Sequence, residues 1–131
     1  MRFESLDYLY MPSRDVAADM AWFTGVLGAR LVFAIESMGT RVAIIEVTEG
    51  PPRIVLADHL DGDIPILVYR VSNLAEATTE LEGRGWQAER TLEIPQGPVS
   101  AFRAAGGQRI AIFELTRPGV EASFAGRRDF G

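Results

Sequence analysis

The sequence has no cysteine and no lysine, and only one histidine, His59. The missing cysteine excludes disulfides, thiolate nucleophiles and every cysteine-ligated zinc or iron–sulfur site. With one histidine and no Gly-x-Ser-x-Gly turn, a hydrolase triad has no support, and neither a phosphate loop nor a dinucleotide fingerprint occurs. All thirteen basic residues are arginines, scattered apart from Arg127-Arg128, and the net charge is −5. That balance works against a polyanion, so no nucleic acid partner is expected. Apolar runs such as Leu31 to Ile35 and Ile64 to Tyr69 fall far short of the roughly 18 residues a membrane span needs. The N-terminus carries Glu4 and Asp7 and has no signal-peptide core. The expectation is a cytoplasmic protein that neither crosses nor binds a membrane.

What is present is a pattern that occurs twice. Tyr8 and Asp15-Val16 are matched by Ile66 and Asn73-Leu74, in each case 58 residues on. The glycines Gly28 and Gly85, and the segments Arg53 to Leu56 and Arg109 to Ile112, keep nearly the same offset, at 57 and 56 residues. A strand and a helix repeated at fixed spacing imply two similar modules. With 131 residues the chain is expected to form a single domain over 1–131, with modules at about 4–59 and 64–117 and a tail at 118–131.

In the first module an extended run, Glu4 to Met11, precedes Ser13 and Asp15, either of which suits a helix N-cap. Val16, Met20, Phe23 and Leu27 then form one helical stripe that ends at Gly28. Strands follow at Arg30 to Ser37, Thr40 to Thr48 and Arg53 to Asp58. The polar link His59 to Asp63, whose Asp61-Gly62-Asp63 reads as a turn, leads to a second copy. That copy has a strand at Ile64 to Val71, a helix capped by Asn73 with Glu76, and strands at Trp86 to Ile94, Pro98 to Arg103 and Gln108 to Leu115. The predicted fold is α+β, two βαβββ modules. Thr116 to Gly131 has no clear period, and Phe124 and Phe130 are its candidates for an exposed docking surface.

Asp15-Val16 followed by Trp22-Phe23-Thr24-Gly25-Val26-Leu27-Gly28 is similar to the helix ending FY.dvLG of the vicinal oxygen chelate superfamily, the glyoxalase and bleomycin-resistance group. Phe102 to Glu114 resembles that family's fRDPDGNrIElfe segment. The resemblance runs from about Leu6 to Arg117. It implies that each module curls its sheet into a half-barrel and that two modules pair, within one chain or across a dimer, to enclose a cavity. Enzymes of the family hold a divalent ion on the first and last strands of each module, commonly through His or Gln with Glu. Those positions map to Tyr8, Val55, Ile66 and Ala111, only one of which has a donor atom, and a phenol is a poor ligand. Ala104 and Gly106 replace the Asp residues of the family's turn. No metal and no other cofactor is therefore expected.

Register decides this mapping, because a slip of one residue exchanges every inward side chain for its neighbour. A slip would bring forward Asp7, Glu46, Asp58, His59 or Glu114. His59, beside Asp58 at a strand end, then reads as a ligand or general base, and otherwise as a solvent-facing linker residue. In the unslipped register, period two places Tyr8, Tyr10, Val55, Ala57, Ile66, Val68, Ala111 and Phe113 on inward faces. They either line an apolar, partly aromatic pocket or simply fill the space. Arg53, Arg70 and Arg109 fall near its rim, either solvated or converging on a carboxylate or phosphate. The expected partner is a small organic molecule held without metal. By resemblance to the drug-sequestering branch of the family, the protein is expected to sequester a drug or aromatic metabolite and to be a homodimer. The alternative is a metal-dependent lyase, isomerase, epimerase or dioxygenase.

Overall fold

The computed structural model describes residues 2–131. It is an α+β fold with the element order β1 (Phe3–Pro12), α1 (Val16–Gly25), β2 (Arg30–Ser37), β3 (Thr40–Glu46), β4 (Arg53–Ala57), β5 (Ile66–Val71), α2 (Leu74–Gly83), β6 (Arg90–Ile94), β7 (Gly97–Arg103), β8 (Arg109–Glu114) and α3 (Val120–Phe124). The repeated βαβββ order expected from the sequence is present. Two compact units divide the chain. Unit 1 takes the residues up to Asp7 together with Ile66–Ser123, and unit 2 takes Tyr8–Pro65 with Phe124–Gly131. The strand β1 thus serves both, and the tail belongs to unit 2 although unit 1 separates it in sequence.

In unit 2 the strands run β2-β3-β4-β1, with β1 and β4 parallel and paired Tyr8 to Arg53 and Tyr10 to Val55. In unit 1 they run β1-β5-β8-β7-β6, with β5 and β8 parallel and paired Ile66 to Arg109 and Val68 to Ala111. The repeated sequence positions therefore occupy repeated register positions. The helix start is chosen by Asp15, whose carboxylate accepts a hydrogen bond from the Ala18 N–H at 3.0 Å. Ser13 instead donates to Asp19. In the second copy the Asn73 side chain accepts from the Glu76 N–H at 2.9 Å.

Each unit buries one sheet face against its helix. In unit 2, Val16 and Met20 of α1 pack on Ala43, Ile45 and Leu56. In unit 1, Leu74 and Ala77 of α2 pack on Val71 and Ile112. Because side chains alternate along a strand, Tyr8, Tyr10 and Val55, and separately Ile66, Val68, Ala111 and Phe113, lie on the faces turned away from the helices.

Three local expectations are corrected. Helix α1 stops at Gly25, and Leu27 is exposed beyond it; Thr24 turns its hydroxyl back to the Met20 carbonyl and glycine propagates a helix poorly. Strand β6 begins only at Arg90, because Trp86 is drawn against Phe102, ring centroids 4.4 Å apart. Phe130 is not an exposed docking residue; it is buried in the α1 core with Val16 and Met20.

Candidate functional site

The face of unit 2 opposite α1 gathers aromatic and charged side chains. Tyr8 is buried, and its ring meets that of Tyr10 edge-on at 6.1 Å between centroids, an arrangement the aromatic quadrupole favours. Val55 beside Tyr10 and Arg53 beside Tyr8 are two more of the expected residues of this unit. The structure adds Glu46, at the end of β3. Its carboxylate accepts from Arg53 Nη2 at 2.5 Å and from Arg30 Nε and Nη2 at 3.0 and 2.7 Å. The Glu46 side chain is only 16% exposed, so this is a shielded carboxylate between two guanidinium groups. The Arg30 hydrogen bonds, seconded by Arg53, hold its pKa below the ordinary carboxylate value, against an opposing push from burial. Glu46 is ionised at neutral pH.

The corresponding face of unit 1 carries Ile66, Val68, Ala111 and Phe113, all buried, with Arg70 and Arg109 at the strand level of Phe113 and Ile66. The Arg70 guanidinium lies 3.4 Å from Asp7 and 3.5 Å from Glu4. Two of the three expected rim arginines therefore have carboxylate partners within the protein: Arg53 is bound to Glu46, and Arg70 stands between two carboxylates. Arg109 pairs in register with Arg103, which itself reaches Glu89 at 3.1 Å.

The residues that a register slip would bring forward are also placed. Asp58 accepts from the Arg41 N–H and Glu114 from the Leu74 N–H at the start of α2. His59 is exposed in a bend, as its solvent-facing reading has it. Glu46 is the one that shares the Tyr8 face, and it was missed as a partner of Arg53 because the pairing runs across strands. Both tryptophans lie away from these faces. Trp22 is exposed on α1, and Trp86 packs on Phe102 on the α2 side of unit 1.

The metal of the oxygen-chelate enzymes does not fit the donor set. In unit 2 the buried hydrocarbon of Val55 leaves only the phenol of Tyr8, and in unit 1 Ile66 and Ala111 are both buried hydrocarbon, so neither pair can replace the hydration shell of a divalent ion. Among the described residues no group of three or more His, Asp or Glu could hold one.

The fold itself has solved counterparts. A methylmalonyl-CoA epimerase from Mycobacterium tuberculosis superposes with a TM-score of 0.72 and 22% identity, over 90% of this chain and 95% of that one. This chain has the vicinal oxygen chelate fold. A hypothetical protein from Bacillus halodurans matches at TM-score 0.72 and 17% identity, covering 84% and 93% of the two chains. A Streptomyces coelicolor methylmalonyl-CoA epimerase in complex with 2-nitronate-propionyl-CoA matches at 0.73 and 10%, covering 88% and 97%. No protein-family model matches the sequence, and neither does any curated protein. Among the described residues no helix is long and apolar enough to cross a membrane.

Proposed function

We propose that this chain binds a small organic molecule against the Tyr8, Tyr10 and Val55 face of unit 2, without a divalent ion either at Tyr8 and Val55 or at Ile66 and Ala111. The observation that carries this reading is the hydrocarbon character of three of those four positions. A face of two phenols and an aliphatic row suits desolvation and stacking of a molecule of mixed polarity, with the hydroxyls orienting it. Because Arg53 is already neutralised by Glu46, affinity for the ligand rests on stacking and apolar contact more than on capture of an anion. The narrower idea of sequestering a drug or aromatic metabolite draws no support from the structural neighbours.

A second reading, an isomerase or epimerase, is favoured by two of those neighbours, which are methylmalonyl-CoA epimerases. Epimerising a carbon beside a carbonyl means removing a proton from one side of that carbon and delivering a proton to the other. On this face Glu46 is the ionised carboxylate placed for the removal, with Arg53 as the cation beside it, although the hydrogen bonds from Arg30 and Arg53 make it a weaker base than a free carboxylate. This reading routes no step through a metal.

Thermal-shift screening of small organic acids, aromatic metabolites and CoA thioesters, in chelator, tests the binding reading. A ligand should raise the melting temperature, and Tyr8→Ala should weaken its affinity by about 2 kcal/mol or more, as loss of a buried aromatic anchor does. Stabilisation that appears only when zinc, manganese or cobalt is added back would sink it. For the second reading, methylmalonyl-CoA is incubated with the protein in D2O. Deuterium entering the α-carbon, and failing to enter with Glu46→Gln, supports an epimerase; ligand binding without exchange supports a binder alone.

A further inference from the structure

The last residues of the chain cover a sheet edge. β2 is the outermost strand of unit 2, and its outward-facing backbone groups fall at Val32, Ala34 and Glu36. Each of these residues finds a partner in the tail through at least one backbone group. The Val32 carbonyl accepts from the Gly126 N–H at 2.9 Å, the Ala34 N–H donates to the Arg127 carbonyl at 2.9 Å, and the Ala34 carbonyl accepts from the Asp129 N–H at 2.7 Å. The Glu36 N–H donates to the Asp129 carboxylate at 2.9 Å. The tail runs parallel to β2, bridging Ala34 with Arg128.

Side chains hold it on both faces of the edge. Phe130 enters the α1 core, with the Arg41 guanidinium 4.7 Å from its ring centroid, and Phe124 meets Phe33 on the opposite face at 5.6 Å. Arg127 grips Asp129 through two hydrogen bonds of 2.9 Å, which pre-forms the turn that presents Asp129 to Glu36. Such a parallel segment, hydrogen-bonded through alternate residues with side chains in pockets, is strand addition in cis.

What lies beneath it explains the need. Leu31-Val32-Phe33-Ala34-Ile35 is an uncharged run without proline or glycine, flanked by Arg30 and Glu36, and Val32, Phe33 and Ala34 are all buried. Bare, it would be an apolar edge with a full row of unpaired backbone groups, the kind of edge that templates pairing with another strand. We propose that the β2 edge is a strand-docking seat, that residues 126–130 are its built-in occupant, and that without them a second copy of this chain pairs through the same edge.

Light scattering on the full chain and on a chain ending at Ala125, each over a range of micromolar concentrations, tests this. The shortened chain should show at least a two-fold higher mass than the full chain, rising with concentration. A synthetic peptide of residues 124–131 added in excess should bring that mass back down. Equal masses at every concentration, or a mass that the peptide leaves unchanged, would overturn the proposal. Should the shortened chain not fold, Asp129→Ala with Phe130→Ala in the full chain carries the test by hydrogen exchange. The Ala34 and Glu36 amides should then exchange at least ten-fold faster, while those of β3 and β4 keep their protection. Unchanged protection at Ala34 and Glu36 would equally refute it.

Discussion

The two units share a register and differ in what they hang on it. In unit 2 the row that starts at Tyr8 continues through Arg53 to Glu46, a phenol, a cation and a carboxylate. In unit 1 the same row reads Ile66, Arg109, Arg103, so that hydrocarbon replaces the phenol and a second cation replaces the carboxylate. Four residues further along, unit 1 places the fully buried Phe113 where unit 2 has Ala57. The backbone pattern is therefore indifferent to chemistry at these positions. One copy is filled with apolar volume, while the other keeps an ionised carboxylate and two tyrosines, which is why the functional proposal rests on unit 2.

The largest test erases the volume difference. Phe113→Ala gives unit 1 the residue that unit 2 uses and should cost about 3–5 kcal/mol, the transfer free energy of a buried ring plus the cavity it leaves. Denaturant unfolding measures it, and a loss under 1 kcal/mol would mean that Phe113 fills no tightly packed space. Next is Glu46→Gln, which leaves Arg30 and Arg53 without their anion and should cost about 2 kcal/mol, as loss of hydrogen bonds to charged partners does. A melting temperature unchanged in that variant would show the triad to be solvated surface.

The same carboxylate gives a pH dependence of known sign. Glu46 has a folded pKa below its unfolded value, so its contribution is complete above the unfolded value, near 4.3, and is lost as pH falls through the folded one. Asp129, held down by the Arg127 hydrogen bonds and then by the Glu36 N–H, acts in the same direction. Stability should therefore fall between about pH 5 and 3, and the fall should be shallower in Glu46→Gln than in the parent. Parallel pH profiles of the two proteins would remove Glu46 from the account.

Much of the fold was legible because it rests on local signals that occur twice. Asp15 and Asn73 cap helices through side-chain oxygens three residues from the N–H they meet, and period-two strands fix which residues share a face. What was not legible is non-local. No periodicity reveals that Asp129 caps an amide 93 residues earlier, or that Phe130 completes the core under α1. The Glu46 pairing with Arg53 depends on where the β3–β4 hairpin places two strand ends, which a single sequence leaves open. The burial of Tyr8 followed from parity, whereas the neutralisation of Arg53 and Arg70 needed the carboxylates to be located.

The smallest expected effect sharpens the comparison from the other side. Arg103→Glu would give unit 1 the carboxylate that faces an arginine in unit 2, since Arg103 stands directly opposite Arg109. Replacing two like charges on paired positions with opposite ones is worth about 0.2–1 kcal/mol. Part of that gain is offset, because Arg103 gives up its pair with Glu89 and the new carboxylate would face Glu89 instead. A rise in melting temperature at low salt that fades at high salt is the expected outcome, as befits a side chain half exposed to water. Adding Glu89→Gln removes the new repulsion and should enlarge the rise. If neither variant is stabilised, the Arg103 and Arg109 charges do not interact across the strands, and the contrast between the two rows lies in Tyr8 and Glu46 alone.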